Sequence, residues 1–410
     1  MVRAMTREDH FRVYLYDRAI GHLHRREDCT RFVFDADYLN DPHRAVLGLR
    51  FEENLSARHV TNMRLPPWFS NLLPEGRLRE WIRRTRGQSV DREMELLAQV
   101  GHDLPGAVRV LAADAPVVVD VTEDPHPPAR ADEVTPVLWR FSLAGVGLKF
   151  SMLAQGDRFT APAAGEGGDW IVKLPDPEHP HVPLNELAMM TLAGAAGIEV
   201  PDVKLVHRDL VEPLPDQAWP HGEALAYAIR RFDRGKSREL IHIEDMAQVR
   251  GFYPDDKYAG SFETIGALVY RHRDVEALRE FARRLAFNIL IGNGDAHLKN
   301  WSLIYRNRRT PTLAPAYDLV ATAIYRPANL GPENLGLKLG GSRRFEVATL
   351  NAFDALDKKL GAKADLASVV VSLVENVVAE WPRAAEILKS NDKMAKEIER
   401  WVMNRVQALR

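Results

Sequence analysis

The sequence of 410 residues contains a single cysteine, Cys29, so it cannot form a disulfide bond within the chain. It also lacks any run approaching the roughly 20 apolar residues that a membrane-spanning helix requires. Its first residues carry no apolar stretch of the kind found in secretory signal peptides. These absences predict a cytoplasmic protein that has no membrane partner.

An excess of positive charge is missing as well. Lys and Arg number 55 and Asp and Glu number 57, which gives a formal net charge of −2 and a pI near 6.7. Proteins that bind nucleic acid directly usually carry a strong positive field. The charge balance therefore argues against direct DNA binding. Hydrophobic residues make up 46% of the chain, which predicts a large packed core.

Composition divides the chain into four parts. Residues 1–111 mix strand-like and helical runs, and residues 112–133 are rich in Asp and Pro, as is typical of a connector. Residues 134–235 have the short strands and turns of a small β-rich lobe, and residues 236–410 are mainly helical. We therefore predict an α+β fold with two lobes and a mixed α/β N-terminal subdomain.

Hydrophobic periodicity places individual elements within these parts. Helical spacing is found at residues 78–85, 90–100, 185–196, 274–291, 366–381 and 394–406. Strand-like runs are found at residues 11–16, 31–34, 198–205, 301–305 and 312–314. The turn-rich residues 161–169 are typical of a hairpin tip.

The segment at 293–301, NGDAHLKNW, carries the first catalytic signal. Asp295 and Asn300 are spaced as in the D-x-x-x-x-N catalytic loop of protein kinases. Phosphoryl transfer needs a carboxylate near the attacking hydroxyl and an oxygen ligand for Mg²⁺ close by. An Asx-rich turn is the alternative interpretation, since Asn-Gly-Asp also favours turns.

Three further residues occur in the order that a kinase needs. Asp318 follows the predicted hairpin of residues 301–314, where kinases present a second aspartate to Mg²⁺. Lys173 lies in an apolar run, which is typical of the lysine that contacts the ATP phosphates. Glu186, at the start of a predicted helix, is a candidate ion-pair partner for Lys173, although glutamate is common in first helical turns.

Other signals are weaker. The segment 142–149 has two glycines but matches neither common phosphate-loop pattern. His242, Glu244 and Asp245 have the chemistry of metal ligands, but a helix start explains them better, because no further ligands recur at supporting spacing. Lys257 and Tyr258 are expected on a substrate-side loop of the helical part.

Taken together, several segments resemble the HipA family of toxin kinases. The matching segments are FSNLLPEG (69–76), GHDLPGAVRV (101–110), FSLAGVGLKFSM (141–152), WIVKLP (170–175), NELAMM (185–190), RRFDR (230–234), NGDAHLKNW (293–301) and PAYDL (315–319). The resemblance implies a protein-kinase-like fold that phosphorylates protein serines with ATP and Mg²⁺. It also implies a small DNA-binding, HipB-like antitoxin as partner, so that DNA is reached only indirectly. Aminoacyl-tRNA synthetases are substrates in this family.

The resemblance also implies roles for individual residues. Asp295 corresponds to the catalytic base, Asn300 and Asp318 to the Mg²⁺ ligands, and Lys173 with Glu186 to the pair that serves the ATP phosphates. Ser142 corresponds to a serine whose autophosphorylation switches the kinase off. The remaining residues implied in nucleotide binding are Ser142, Ala144, Gly145, Lys149, Arg230, Phe232, His297 and Lys299. Two residues depart from the family pattern. Gly147 stands where a glutamine is usual, and Arg230 stands where an acidic residue is usual.

Two other functions use the same motifs. A small-molecule phosphotransferase would share the Asp295 loop, but it has no evident use for the N-terminal FSNLLPEG unit. A nucleotide-binding pseudokinase that acts as a transcriptional co-repressor would not need the acidic residues that this sequence retains. Phosphorylation of a protein substrate is the interpretation that uses all of these features.

Overall fold

The computed structural model describes residues 8–86, 92–113, 147–162 and 166–410. Its N-terminal unit is an antiparallel sheet of five strands in the spatial order β4, β3, β2, β1, β5. The strands are β1 (Glu8–Leu15), β2 (Arg18–Arg26), β3 (Cys29–Phe34), β4 (His59–Asn62) and β5 (Val108–Ala112). In β3 exposed and buried side chains alternate along the whole strand, so one face of the sheet is turned to the core.

Five helices complete this unit. They are α1 (Ala36–Leu39), α2 (Leu49–Glu52), α3 (Pro67–Ser70), α4 (Gly76–Arg86) and α5 (Glu93–Val100). Apolar side chains of these helices, such as Phe69, Leu78 and Leu97, are buried in one cluster with Val13 and Leu23 of the sheet. The strands predicted at 11–16 and 31–34 and the helices predicted at 78–85 and 90–100 are confirmed, the last from Glu93 onward.

A second antiparallel sheet forms the β-rich lobe, in the order β7, β6, β8, β10, β9. Its elements are β6 (Lys149–Gln155), β7 (Arg158–Thr160), β8 (Trp170–Lys173), α6 (Val182–Ala195), β9 (Val203–His207) and β10 (Leu225–Arg230). The prediction of a hairpin tip at 161–169 is wrong. The hairpin turns instead at Gly156, whose φ of +63° suits a tight turn, so β6 lies between β7 and β8.

The third part contains the longer helices. Its helices are α7 (Met246–Arg250), α8 (Phe262–Tyr270), α9 (Val275–Ile291), α10 (Leu350–Leu360), α11 (Leu366–Leu388) and α12 (Asp392–Ala408). Its strands are β11 (His242–Asp245), β12 (Ser302–Tyr305), β13 (Thr312–Leu313), β14 (Asn334–Leu339) and β15 (Ser342–Arg344). The predicted α+β architecture is confirmed, whereas the boundaries of the four parts remain predictions. Most of the predicted connector, from residue 114 onward, lies outside the described residues.

Helix α9 is the element that delivers the Asp295 loop. The Asp274 side chain caps its first turn by accepting a hydrogen bond from the Ala277 amide at 3.0 Å. At its end Gly292 has φ +69°, and a Cβ there would lie 2.6 Å from the Trp401 ring of α12. Glycine is therefore required both by the left-handed turn and by the approach of α12.

The helical part also packs against the N-terminal unit. Glu244 on β11 is fully buried, and it accepts hydrogen bonds from the Leu49 amide (2.9 Å), the Trp68 indole (3.1 Å) and the Tyr305 hydroxyl. Asp245 begins α7 with a capping box that includes Gln248, so the predicted helix start is confirmed for Asp245, whereas His242 and Glu244 lie on β11. No helix within the described ranges has the length and apolar character needed to cross a bilayer.

A buried charge network joins the N-terminal unit to the β-rich lobe. Asp103, from the GHDLPG segment, accepts hydrogen bonds from Arg231 (2.7 Å) and Arg234 (2.8 Å), which follow β10. Both arginines also bind Asp233, at 2.8 and 3.0 Å. Burial disfavours the charged form of Asp103, but the two arginines outweigh it and hold the pKa of Asp103 well below its ordinary value.

We expect Asp103→Asn to lower the free energy of unfolding by about 3–5 kcal/mol, because it leaves two buried guanidinium groups with one carboxylate. Urea unfolding of the variant against Asp354→Asn, an exposed control, measures the loss. The pKa of Asp103 is depressed in the folded state. The difference in unfolding free energy between wild type and variant should therefore be largest at neutral pH and shrink below about pH 4. An unchanged unfolding midpoint at pH 7 would contradict the assigned role.

Candidate active site

Lys173, at the end of β8, stands at the centre of the site. Its Nζ lies 2.5 Å from Glu186 Oε1 on α6 and 2.5 Å from Asp318 Oδ1, which follows β13. The structure thus brings together three of the predicted residues from three separate segments. The Lys173–Glu186 contact is the ion pair that the sequence predicted.

Burial and charge pairing act in opposite directions on the three residues of this cluster. Glu186 is 2% exposed, and burial raises its pKa to about 7 against the opposing effect of Lys173. Burial also works against the charge of Lys173, but Asp318 and Glu186 raise its pKa above the ordinary value. Partial desolvation works against the charge of Asp318, whose side chain is 34% exposed, but Lys173 and Lys149 outweigh it and lower its pKa. The Lys173 ammonium is therefore held as a cation between two carboxylates.

The Asp295 loop lies beside this cluster. Its backbone is fixed locally, because the Asp295 amide donates to Asn293 Oδ1 at 3.0 Å and Asn300 Nδ2 donates to the Asp295 carbonyl at 2.8 Å. Asn293 Nδ2 also donates to the Asp318 carbonyl at 3.2 Å, which ties the two acidic segments together. The Asp295 side chain is about half exposed (49%), so its carboxylate is open to a substrate.

Asn300 and Asp318 are suited to bind a metal ion together. They line one small cavity of about 10 Å³ with Tyr317 and Ser302. The Asn300 amide nitrogen donates its hydrogen bond to the loop backbone, so the side-chain oxygen is the atom that can coordinate a cation. One amide and one carboxylate oxygen, completed by phosphates, form the kind of donor set that Mg²⁺ takes in phosphotransferases. The donor chemistry thus fits Mg²⁺.

His297 and Lys299 lie on the same loop but differ in their surroundings. His297 is buried, its Nε2 is 3.9 Å from Asp295 Oδ1, and burial lowers its pKa. The Lys299 ammonium is directed at the N-terminal unit, where it lies 2.6 Å from Glu75 Oε1 and 3.0 Å from the Asn71 carbonyl. These contacts give Lys299 a partner within the protein and do not support its predicted role in nucleotide binding.

Among the other predicted nucleotide residues, the structure describes Phe232, Arg230 and Lys149. Phe232 is half-buried, and its ring centroid lies 5.6 Å from that of Tyr317. Arg230 pairs with Asp202 at 3.5 Å, so its charge is matched locally. Lys149 is opposite Lys173 in the strand register, and burial, followed by the charge of Lys173, lowers its pKa to about 8. Ser142, Ala144 and Gly145 lie outside the described residues.

Tyr258 contacts the Asp295 carboxylate, and nothing in the sequence indicated this contact. Its hydroxyl donates a hydrogen bond to Asp295 Oδ1, and its ring contacts His297 with centroids 5.1 Å apart. The sequence placed Lys257 and Tyr258 only on a substrate-side loop. An exposed tyrosine after a basic residue carries no local signal of this contact.

The fold and the site together define the class of the protein. A β-rich lobe supplies a lysine paired with a helical glutamate, and a helical part supplies an Asp-x4-Asn loop, a hairpin and a second aspartate. This is the arrangement of protein kinases. The chain therefore has a protein-kinase-like fold with an added N-terminal subdomain.

The chain belongs to the HipA family of kinases. The HipA N-terminal domain model matches residues 11–111, and the HipA-like C-terminal domain model matches residues 141–381. Both matches agree with the resemblance found in the motifs.

Individual relatives are similar over most of their length. Y4dM of Sinorhizobium fredii, whose name describes it as a candidate kinase, is 41% identical over 400 residues, which cover 94% of this chain and 93% of that protein. The serine/threonine-protein kinase toxin HipA of Shewanella oneidensis is 28% identical over 349 residues, or 76% and 75% of the two chains. A solved complex of Shewanella oneidensis HipA with HipB and operator DNA has a TM-score of 0.72 at 23% identity, covering 97% of this chain and 96% of that one.

Proposed function

We propose that the protein is an ATP- and Mg²⁺-dependent serine/threonine kinase that transfers the γ-phosphoryl group of ATP to a protein hydroxyl. The observation that supports this most strongly is the ion-pair cluster of Lys173, Glu186 and Asp318 beside the Asp295 loop. A pseudokinase would not need the base and both metal ligands together.

Each residue has a role that follows from its position. Asp295 orients the acceptor hydroxyl and takes its proton, since its carboxylate is open and its backbone is fixed. Lys173, held by Glu186, contacts the ATP phosphates, and Asn300 with Asp318 holds Mg²⁺. When bound, Mg²⁺ neutralises negative charge on the transferring phosphoryl group. Phe232 offers an apolar face to the adenine ring.

The proposal has three further parts, which concern the partner, the substrate and self-regulation. The protein acts as the toxin of a toxin-antitoxin pair whose antitoxin is a small DNA-binding, HipB-like protein, as in the solved Shewanella complex with HipB and operator DNA. An aminoacyl-tRNA synthetase is the first substrate class to test. Phosphorylation of Ser142, which lies in the segment that resembles the family's phosphate loop, would add nearly two negative charges and thereby switch the kinase off.

The test is to incubate the purified protein with Mg²⁺ and γ-labelled ATP, and to map the phosphate by mass spectrometry. Label on serine or threonine of the protein itself or of an added substrate supports the kinase, and label on Ser142 supports the self-limiting switch. Nucleotide binding without label on any protein, from an initially unphosphorylated sample, favours the pseudokinase co-repressor. Transfer only to a small molecule favours the other phosphotransferase.

A further inference from the structure

Glu75 reaches from the N-terminal unit to the catalytic segment. Its Oε1 lies 2.6 Å from Lys299 Nζ, and its Oε2 accepts a hydrogen bond from Lys257 Nζ at 3.3 Å. Lys299 also donates to the Asn71 carbonyl at 3.0 Å. Glu75 and Asn71 belong to the FSNLLPEG segment, whereas both lysines belong to the helical part.

The two lysines flank the proposed base. Lys299 lies in the loop between Asp295 and Asn300, and Lys257 precedes Tyr258, whose hydroxyl binds Asp295. The Leu298 amide donates to the Lys257 carbonyl at 3.0 Å, so the two lysine segments are also joined through their backbones. A single carboxylate of the N-terminal unit thus holds both segments that shape the surroundings of Asp295.

The cluster is shielded from water. The side chains of Lys299, Lys257 and Glu75 are only 5%, 12% and 18% exposed. A lysine that is buried to this extent needs a nearby anion to stay charged. Burial opposes the charge of Glu75, but Lys299 and Lys257 outweigh it and lower its pKa. Because all three side chains are largely shielded from water, loss of the Glu75 charge would force the Lys299 segment to move toward another anion or toward water.

We propose that Glu75 is a positioning residue for phosphoryl transfer, which holds the Asp295–Asn300 loop in its working geometry through Lys299 and Lys257. The proposal rests on the kinase function proposed above. It gives the N-terminal unit an indirect part in the reaction. The unit sets the position of the base Asp295 through Lys299 and Lys257, without touching it. It also replaces the predicted nucleotide contact of Lys299 with a structural one.

Glu75→Gln is the decisive variant, because it keeps the shape of the side chain and removes its charge. We expect kcat for phosphate transfer to fall about tenfold to a hundredfold, since small displacements of a catalytic group have effects of this size. The KM for ATP should change less than kcat does, since Lys173, Glu186 and Asp318 are untouched and Asn300 is the one proposed ATP–Mg²⁺ ligand on the displaced loop. Glu75→Asp, which keeps the charge on a shorter side chain, should show the same pattern with a smaller loss.

Glu93→Gln is the matched control. Glu93 is also a buried carboxylate of the N-terminal unit, and it binds the Leu65 amide and the Ser70 hydroxyl, each at 2.8 Å, and Arg64 at 3.0 Å. It stabilises the same FSNLLPEG segment through contacts that lie within the unit. Glu93→Gln should lower the midpoint of thermal unfolding but leave kcat unchanged below it. Equal losses of kcat in Glu75→Gln and Glu93→Gln would overturn the proposal.

Amide hydrogen exchange gives a second readout that needs no activity. Peptides covering residues 293–301 should exchange faster in Glu75→Gln than in wild type, whereas Glu93→Gln should accelerate exchange only around residues 64–71. Unchanged exchange at 293–301 in Glu75→Gln would overturn the proposal. If wild type transfers no phosphate while exchange responds as expected, the kinase proposal fails and the contact between the two units stands.

Discussion

Asp295→Asn is expected to abolish phosphate transfer, with a loss of at least about a hundredfold and up to about ten thousandfold in kcat, the range in which a general base contributes. The substitution removes the proton acceptor and changes little else. The amide that replaces the carboxylate retains an oxygen that can accept the Tyr258 hydroxyl. The bonds of Asn293 and Asn300 go to the backbone of residue 295, so the loop keeps its shape.

The measurement is transfer from γ-labelled ATP, with nucleotide affinity measured in parallel by calorimetry. ATP affinity should stay within about threefold of wild type, because the base is not a phosphate or metal ligand in this assignment. Asp354→Asn on α10 is the matched control, since Asp354 is exposed and remote in sequence from the site. Normal transfer by Asp295→Asn would remove Asp295 from the role of base.

Asp318→Asn is expected to lose nearly all Mg²⁺-dependent nucleotide binding. A neutral amide replaces the carboxylate that we assign to the metal, and hard cations bind carboxylates far more strongly than amides. The backbone should tolerate the change, because Asp318 has φ +61° and asparagine adopts this left-handed conformation as readily as aspartate. Any loss of nucleotide binding in Asp318→Asn therefore results from the missing charge and not from backbone strain.

Titration of ATP with and without Mg²⁺ measures this effect. In wild type Mg²⁺ should tighten ATP binding, and in Asp318→Asn the gain should disappear, together with phosphate transfer. The Lys173–Glu186 ion pair at 2.5 Å remains in the variant, so weak metal-free binding should persist. A Mg²⁺ response equal to that of wild type would exclude Asp318 as a metal ligand.

Much of the fold could be predicted because its signals are local. Helical spacing located α9, and Gly292 marked its end, so the position of the Asp295 loop followed from the sequence alone. The strands predicted at 301–305 and 312–314 pair as β12 and β13. In both cases the pattern that carries the prediction lies within about 20 residues of the chain, which is the range that periodicity and turn chemistry can report.

The partners of site residues were harder to predict, because they are distant in the sequence. Lys299 sits in a motif that points to the nucleotide, yet its acceptor at Asn71 is 228 residues away. The Tyr258–Asp295 bond joins segments 37 residues apart with no spacing rule to connect them. The predicted hairpin tip at 161–169 was wrong for a related reason, since Gly156 and the segment 161–169 both carry turn chemistry.

The end of α9 depends on a contact from helix α12, which lies much later in the chain. Trp401 covers Gly292 and donates a hydrogen bond to the Ile289 carbonyl at 3.4 Å, 112 residues earlier in the chain. Ribosomes make the Asp295 loop before the helix that supports it, so a nascent chain carries every catalytic residue without the packing that aligns them. We expect the growing polypeptide to remain inactive until α12 has emerged and packed against the end of α9.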